Sequence, residues 1–403
     1  MILNSSPVVS PHDSSHSRFW LFAFFFCYFA GIGLLNTFLS IHWQSLGYNF
    51  SQIGLLGTIA ALSGGVALMP LSILSDRLQN RHLFIISSSI ASAVCAILFE
   101  FVRDFQALMA IQVVNGIGIS ITLSLTAVLC ADVSRAEHAG RGYGNARSGG
   151  TLGYLLMMVV MMFVSLKVRH FLSFNLSALA YLGSALSICM IKRPARVEKS
   201  VSVKLGEVGA LLKDRNVLAF LSSCFLLQMA FMGMLSYFTL YLNGLSPLPG
   251  KWFIPLALIV SSVAELPFMA LGGRFADRYG ALTPLKIAAV TMPLRMLGYA
   301  LFPHIPAILG LQLLHGATFS LFTIAPFAFF TTIAPKRFRA TSMALLGIVT
   351  MLANTLTPIL AGKIADRVGT RALFFYFAGV AIVGALILFG FVRAPKTSEE
   401  NAL

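Results

Sequence analysis

The chain has 403 residues, 57% of them hydrophobic and only 11% charged, against about 25% charged in an ordinary globular domain. With a mean hydropathy of +0.84 and apolar residues gathered in long blocks, this excludes a soluble enzyme, a disordered chain, a collagen-like fibre and a disulfide scaffold. The formal charge of +15 would suggest nucleic acid in a soluble protein; here membrane topology accounts for it, and no nucleic-acid partner is expected.

Residues 1–18 form a polar tail rich in Ser, Pro and His, without the positive start of a secretory signal. The apolar run from Phe19 to Ile41 is too long for a signal core and has no A-x-A site after it, so it predicts a retained first membrane helix. A bilayer core of roughly 30 Å needs about 20 apolar helical residues. Segments of that kind fall at 19–43, 51–74, 82–100, 106–130, 147–166 and 172–191, then at 217–243, 251–275, 284–302, 306–333, 340–362 and 372–393. The fold class expected is therefore all-α integral membrane, with twelve transmembrane helices in two pseudo-symmetric six-helix bundles, 19–191 and 217–393. A cytoplasmic linker, 192–216, joins them, and 394–403 forms a second tail.

Positive charge sets the expected orientation. The linker carries Lys192, Arg193, Arg196, Lys199, Lys204, Lys213 and Arg215. On the opposite side fall only Arg103, Lys167, Arg169, Lys251, Lys363, Arg367 and Arg371 of the 29 Lys and Arg, with Arg295 inside the membrane. Both termini are expected in the cytoplasm, in a cell membrane of the bacterial inner-membrane type. Linker charge in contact with anionic lipid is a further reading of the same residues, beside a solvated linker. The five cysteines lie inside apolar blocks, none in a CxxC or Cys/His spacing, so neither disulfide nor metal is expected.

The halves repeat: Phe19 matches Phe220, and Asp76-Arg77 matches Asp277-Arg278, both offset by 201 residues. Parallel duplication of six-helix halves is one way secondary transporters are built. Gly273-Arg274-Phe275-Ala276-Asp277-Arg278-Tyr279-Gly280 resembles the G-x-x-x-D-R-x-G signature of the major facilitator superfamily; the first-half copy has Ser72 in place of the Gly. The resemblance implies a conformational clamp formed by Asp76, Arg77, Gly273, Asp277 and Arg278. A related string, Ala361 to Gly369, falls on the other side and is read as a structural turn. Gly149 and Gly153 are read as small residues permitting close helix packing.

Of the fourteen acids, Glu265 alone sits mid-span. A charge at the bilayer centre costs about 2.5–3.5 kcal/mol on insertion scales, so it needs a partner or a water-filled cavity. Arg295 and His315 sit mid-span in the next two helices, with Gln312 and Thr318 on a polar face beside His315. Desolvation favours neutral Glu265 while a nearby guanidinium favours the anion, the balance a proton-coupling group requires. A helix-locking buried ion pair is the alternative reading.

The stretches Pro293 to Gly298 and Gln312 to Phe319 are similar to the ninth and tenth helices of the lactose-permease-like proton symporters, and Ala264-Glu265-Leu266 resembles their eighth-helix acid. Gly144 to Arg147, continuing to Gly153-Tyr154, resembles the start of their fifth helix. Two departures, Thr318 where lactose permease has an acid and no acid in 106–130, argue against lactose-type sugar binding. The Thr looks more like the phenylpropionate-permease branch. The resemblance implies proton coupling through Glu265, Arg295 and His315, and solute contacts from Arg147, Tyr154, Gln312 and Thr318. The expected function is proton-coupled symport of a small organic solute (an organic acid, sugar or nucleoside) by a monomer in membrane lipid. Antiport efflux of drugs or metabolites is the alternative, and a sensor, scramblase or enzyme the remote one. No Walker loop, HExxH or GxSxG is present, so catalysis is not expected, and no cofactor is implied.

Overall fold

The computed structural model describes residues 11–133, 139–164, 166–191, 209, 211–245, 252–333 and 339–394, and these are almost entirely helical. The helices are α1 (Pro11–Ser45), α2 (Phe50–Leu78), α3 (Arg81–Phe101), α4 (Phe105–Val133), α5 (Ala139–Phe163), α6 (Leu166–Cys189) and α7 (Arg215–Leu245). They continue with α8 (Phe253–Tyr279), α9 (Leu282–Leu301), α10 (Ile305–Leu311), a 3-10 turn (Gln312–Leu314), α11 (His315–Ile333) and α12 (Arg339–Phe391). Hydrocarbon offers the backbone no hydrogen-bond partner, so apolar segments of this length satisfy their peptide groups internally as helices.

Among the described residues, nine helices are long and apolar enough to cross a membrane. One is α12, which bends at Gly369 (φ 81, ψ 163) and so covers two of the segments read from the sequence. A Cβ is strained at that φ, which makes Gly the natural residue for the reversal. The spans at 251–275 and 284–302 correspond to α8 and α9, and 306–333 to α10, the 3-10 turn and α11 together. Most of the linker, residues 1–10 and 395–403, and the side chains at 273 and 277 lie outside the described residues, while residues 11–18, read as tail, are the first turns of α1.

Local chemistry starts the helices. Asn49 and Gln52 form a reciprocal box at the head of α2, Gln52 N donating to Asn49 Oδ1 (2.8 Å) and Asn49 N to Gln52 Oε1 (3.0 Å). Asn80 caps α3 through Leu83 N (3.2 Å), and Asp104 accepts from Ala107 N (2.8 Å) at the head of α4.

The chain divides into two compact units, residues 1–39 with 62–200, and residues 40–61 with 201–403. In the first unit α3 packs on α4 and α6. There α5 lies against α1 at the two glycines read as packing residues: a Cβ on Gly149 would come within 2.6 Å of the Phe22 carbonyl oxygen, and one on Gly153 within 2.1 Å of that of Phe26. In the second unit α12 packs on α7 and α9, and α8 on α11. Gly316 allows the last contact, its Cβ position lying 2.4 Å from the Ala264 carbonyl oxygen.

Residues 40–61, from the first half of the sequence, are bonded into the second unit. Thr58 Oγ1 donates to the Thr355 carbonyl (2.8 Å) and accepts from Ile359 N (3.2 Å). Pro358 lies inside α12 beside these groups. Tyr237 Oη lies within reach of the carbonyls of Phe50 (2.9 Å) and Pro358 (3.0 Å).

Candidate functional site

Arg295 lies mid-way along α9, two residues after Pro293, and is 2% exposed. A buried guanidinium must have its donors met. Nε donates to Tyr299 Oη (2.6 Å), Nη1 to Thr318 Oγ1 (2.9 Å) and Nη2 to Gln312 Oε1. Tyr299 Oη passes the chain on, donating to Gln312 Oε1 (2.9 Å). The Thr318 hydroxyl donates back into its own helix, to the carbonyls of Leu314 (3.2 Å) and His315 (3.1 Å), which turns a lone pair toward Arg295.

The backbone explains why Gln312, His315 and Thr318 converge there. Between α10 and α11 the chain tightens to a 3-10 turn over Gln312–Leu314. A short 3-10 stretch inside a long helix changes the angular offset between side chains on either side of it, and such breaks recur at functional hinges. Gln312 opens the turn and His315 follows it.

Beside these groups is a cavity of about 20 Å³, lined by Ser261, Arg295, Gln312 and His315 and by Met234, Leu235, Phe238 and Leu258. The Nδ1 atom of His315 is buried without a hydrogen-bond partner among the described residues, and its ring stacks on Phe319 (centroids 5.2 Å apart, planes at 10°).

The structure thus brings together Arg295, His315, Gln312 and Thr318. Glu265 it does not bring to the same wall. That residue is half-buried on α8, one turn past Ser261, and lines no part of the cavity. Four residues carry a helix about 6 Å along its axis, so Ser261 faces the cavity and Glu265 lies beyond it. Its backbone carbonyl accepts from Ser320 Oγ on α11 (3.5 Å). The polar partners recorded for Arg295 are all neutral.

Arg147 and Tyr154 are half-buried in the first unit. The Arg147 guanidinium carbon lies 3.7 Å from the centre of the Phe29 ring, a cation–π contact. Tyr154 lies over Gly33, where a Cβ would meet its ring at 2.2 Å.

Of the residues read as a clamp, Asp76 Oδ1 pairs with Arg81 Nη2 (3.1 Å), tying the end of α2 to the start of α3. Arg77 is exposed. Arg278 is exposed too, its guanidinium carbon 5.3 Å from the Tyr279 ring centre. Gly273 and Asp277 lie outside the residues whose side chains are described.

Two residues carry more than the sequence reading gave them. Tyr299 completes the Arg295 network, and its position four residues later on the same helix face is a legible signal. Asp366, read as part of a turn, caps α2: Oδ1 accepts from Phe50 N (2.8 Å), Oδ2 from Ser51 N (2.9 Å) and from the Ser51 hydroxyl. The bend at Gly369 is there as read, but the carboxylate also meets the positive end of a helix dipole some 315 residues away in sequence.

Comparison with known proteins fits this architecture. Residues 19–377 match the MFS_1-like family. A maltose permease of Geobacillus stearothermophilus is 23% identical over 382 residues, covering 94% of this chain and 95% of that protein. A probable 4-methylmuconolactone transporter of Cupriavidus pinatubonensis is 22% identical over 373 residues, covering 89% and 84%. The crystal structure of the nucleoside transporter NupG superposes with a TM-score of 0.80 at 18% identity, covering 93% of this chain and 98% of that one. Twelve apolar segments, two compact units and a match over most of the length lead to one conclusion: the chain belongs to the MFS_1-like family and is a multi-pass membrane transporter of the major facilitator superfamily, not an enzyme.

Proposed function

We propose that the protein is a proton-coupled symporter of a small organic solute, working by alternating access. The observation that carries the reading is the site in the second unit: a fully buried guanidinium held by neutral groups, with an unpartnered imidazole nitrogen, on the wall of one cavity. Intramembrane ionisable groups are costly and mark ion or solute pathways. Arg295 and His315 border the solute, while Glu265, one turn along α8, takes up and releases the proton.

Gln312 and Thr318 orient Arg295, and Arg147 and Tyr154 are assigned as solute contacts from the first unit. The Asp76 and Asp277 loops serve as the conformational clamp; the Asp76–Arg81 pair supports this for the first loop. The solute-handling relatives are consistent with small organic cargo, a permease for maltose and a transporter for nucleosides among them. The protein works as a monomer in the lipid of a bacterial inner membrane, both termini cytoplasmic, without nucleic acid or cofactor.

The test is accumulation in proteoliposomes under an imposed pH gradient. Glu265→Gln is expected to abolish gradient-driven accumulation while leaving solute exchange in place. Undiminished accumulation by the variant refutes the coupling role, and solute flux opposite to the proton flux establishes antiport instead.

A further inference from the structure

A guanidinium remains charged at any physiological pH, so Arg295 brings a permanent positive charge into a site of low dielectric. Its three recorded bonds run to a phenol, a hydroxyl and an amide, none of them negative. A guanidinium has five N–H donors. With Nε and one N–H on each Nη engaged, one N–H on each Nη has no acceptor among the described residues. Guanidinium N–H donors of this kind are what a carboxylate engages.

The cavity lined by Arg295, about 20 Å³, has room for one or two water-sized groups. His315 Nδ1, buried and without a partner, reaches the same wall. The rest of the lining, Met234, Leu235, Phe238 and Leu258, is apolar.

From this we infer that the solute, on the transporter reading above, is an organic monoanion. Its carboxylate takes the remaining N–H groups of Arg295 and the N–H of the Nδ1 tautomer of His315. The cavity as it stands holds only water-sized groups, so the hydrocarbon part enters between Met234, Leu235, Phe238 and Leu258 as the site opens during alternating access. A neutral polyol could fill the acceptor positions but would leave the charge uncompensated, and a cation would be repelled. The carboxylate supplies a counter-charge that none of the described partners of Arg295 does.

The experiment is thermal unfolding of the purified full-length protein in detergent at constant ionic strength. The probes are benzoate and hexanoate, the matched neutral amides benzamide and hexanamide, and chloride alone. Both carboxylates are expected to raise the unfolding midpoint with saturation, and the amides to bind roughly tenfold or more weakly. Arg295→Met, which leaves Tyr299 and Gln312 bonded to each other, is expected to lose the carboxylate response. Equal stabilisation by amide and carboxylate in the unmodified protein overturns the inference, and that contrast needs no variant to fold. So does an unchanged carboxylate response in Arg295→Met. If chloride alone produces the whole shift and carboxylates do not compete with it, the site holds an inorganic ion and the inference falls. Carboxylate binding without flux in proteoliposomes refutes the symport reading and leaves this one standing; flux of neutral solutes with no carboxylate preference does the reverse.

Discussion

The interiors of the two units are both polar, but in different ways. The first buries mostly hydroxyls and amides: Ser88, Ser89 and Ser92 on α3, Gln112, Asn115, Thr122 and Thr126 on α4, and Ser173, Ser177 and Ser184 on α6. Its one buried guanidinium among the described residues, Arg81, faces the Asp76 carboxylate. Some of the hydroxyls serve themselves: Ser177 donates to the Ser173 carbonyl (2.7 Å) and Ser184 to that of Tyr181 (2.7 Å), while Ser88 bonds both the Ile85 carbonyl (3.1 Å) and Thr122 Oγ1 on α4 (2.6 Å). A hydroxyl can return a hydrogen bond to the preceding turn of its own helix, so it fits into a helix bundle without dictating its neighbours.

The second unit buries hydroxyls as well, but its guanidinium, Arg295, cannot do this and has no carboxylate among its described partners. Its donors reach outward, and Arg295 draws acceptors from the 3-10 turn and α11 as well as from its own helix. Buried polarity is therefore a weak marker of function in this protein when it is neutral and small. It becomes a strong one when it is charged and has to recruit several elements.

The largest effect that sharpens this contrast is expected from Arg295→Met. Replacing buried ion pairs by hydrophobic side chains of similar volume is often neutral or stabilising, by about 1–4 kcal/mol. The described partners of Arg295 are neutral, so no carboxylate among them is left unpaired, and Tyr299, Gln312 and Thr318 all keep partners without it. Transport should fall to background while the unfolding midpoint holds or rises. A large loss of stability would show Arg295 to be a structural brace.

Gln312→Leu acts the other way. It leaves Arg295 in place and removes its acceptor, so destabilisation of about 1–3 kcal/mol is expected in denaturation of the purified protein. No change would mean that the amide contributes little.

A smaller loss, about 1 kcal/mol, is expected for Asp366→Asn, which keeps an acceptor at the head of α2 but removes the charge facing the helix dipole. Hydrogen exchange at the amides of Phe50 and Ser51 reads it directly, and protection equal to that of the unmodified protein counts against the cap.

The smallest effect belongs to the first unit. Ser177→Ala should shift stability by less than about 0.5 kcal/mol, since its hydroxyl bonds only within α6. A shift several times larger would erase the distinction between the two interiors.

The site was partly legible in the sequence. Arg295, His315, Gln312 and Thr318 stand out as polar residues in apolar spans, and the structure places the first three on one cavity, with Thr318 bonded to Arg295. Tyr299 was visible only as a residue four positions from Arg295, and a buried tyrosine is common enough to pass unnoticed. Glu265 looked like the partner of Arg295 because both are charged and lie on consecutive helices. In the structure Glu265 is not among the residues that line the cavity beside Arg295, and where a side chain sits relative to a neighbouring helix is not written in hydropathy.

The sequence by itself determined the helices, their number and their apolar lengths, because a bilayer imposes its solvent on about 20 residues at a time and leaves the backbone little alternative. It also determined which residues are costly to bury. Only the tertiary structure decided which side chains meet. The 3-10 turn at Gln312–Leu314, the neutral shell of Arg295 and the reach of Asp366 to Ser51 all depend on how helices distant in sequence are rotated and staggered. Those choices are made by packing between surfaces, which no single segment encodes.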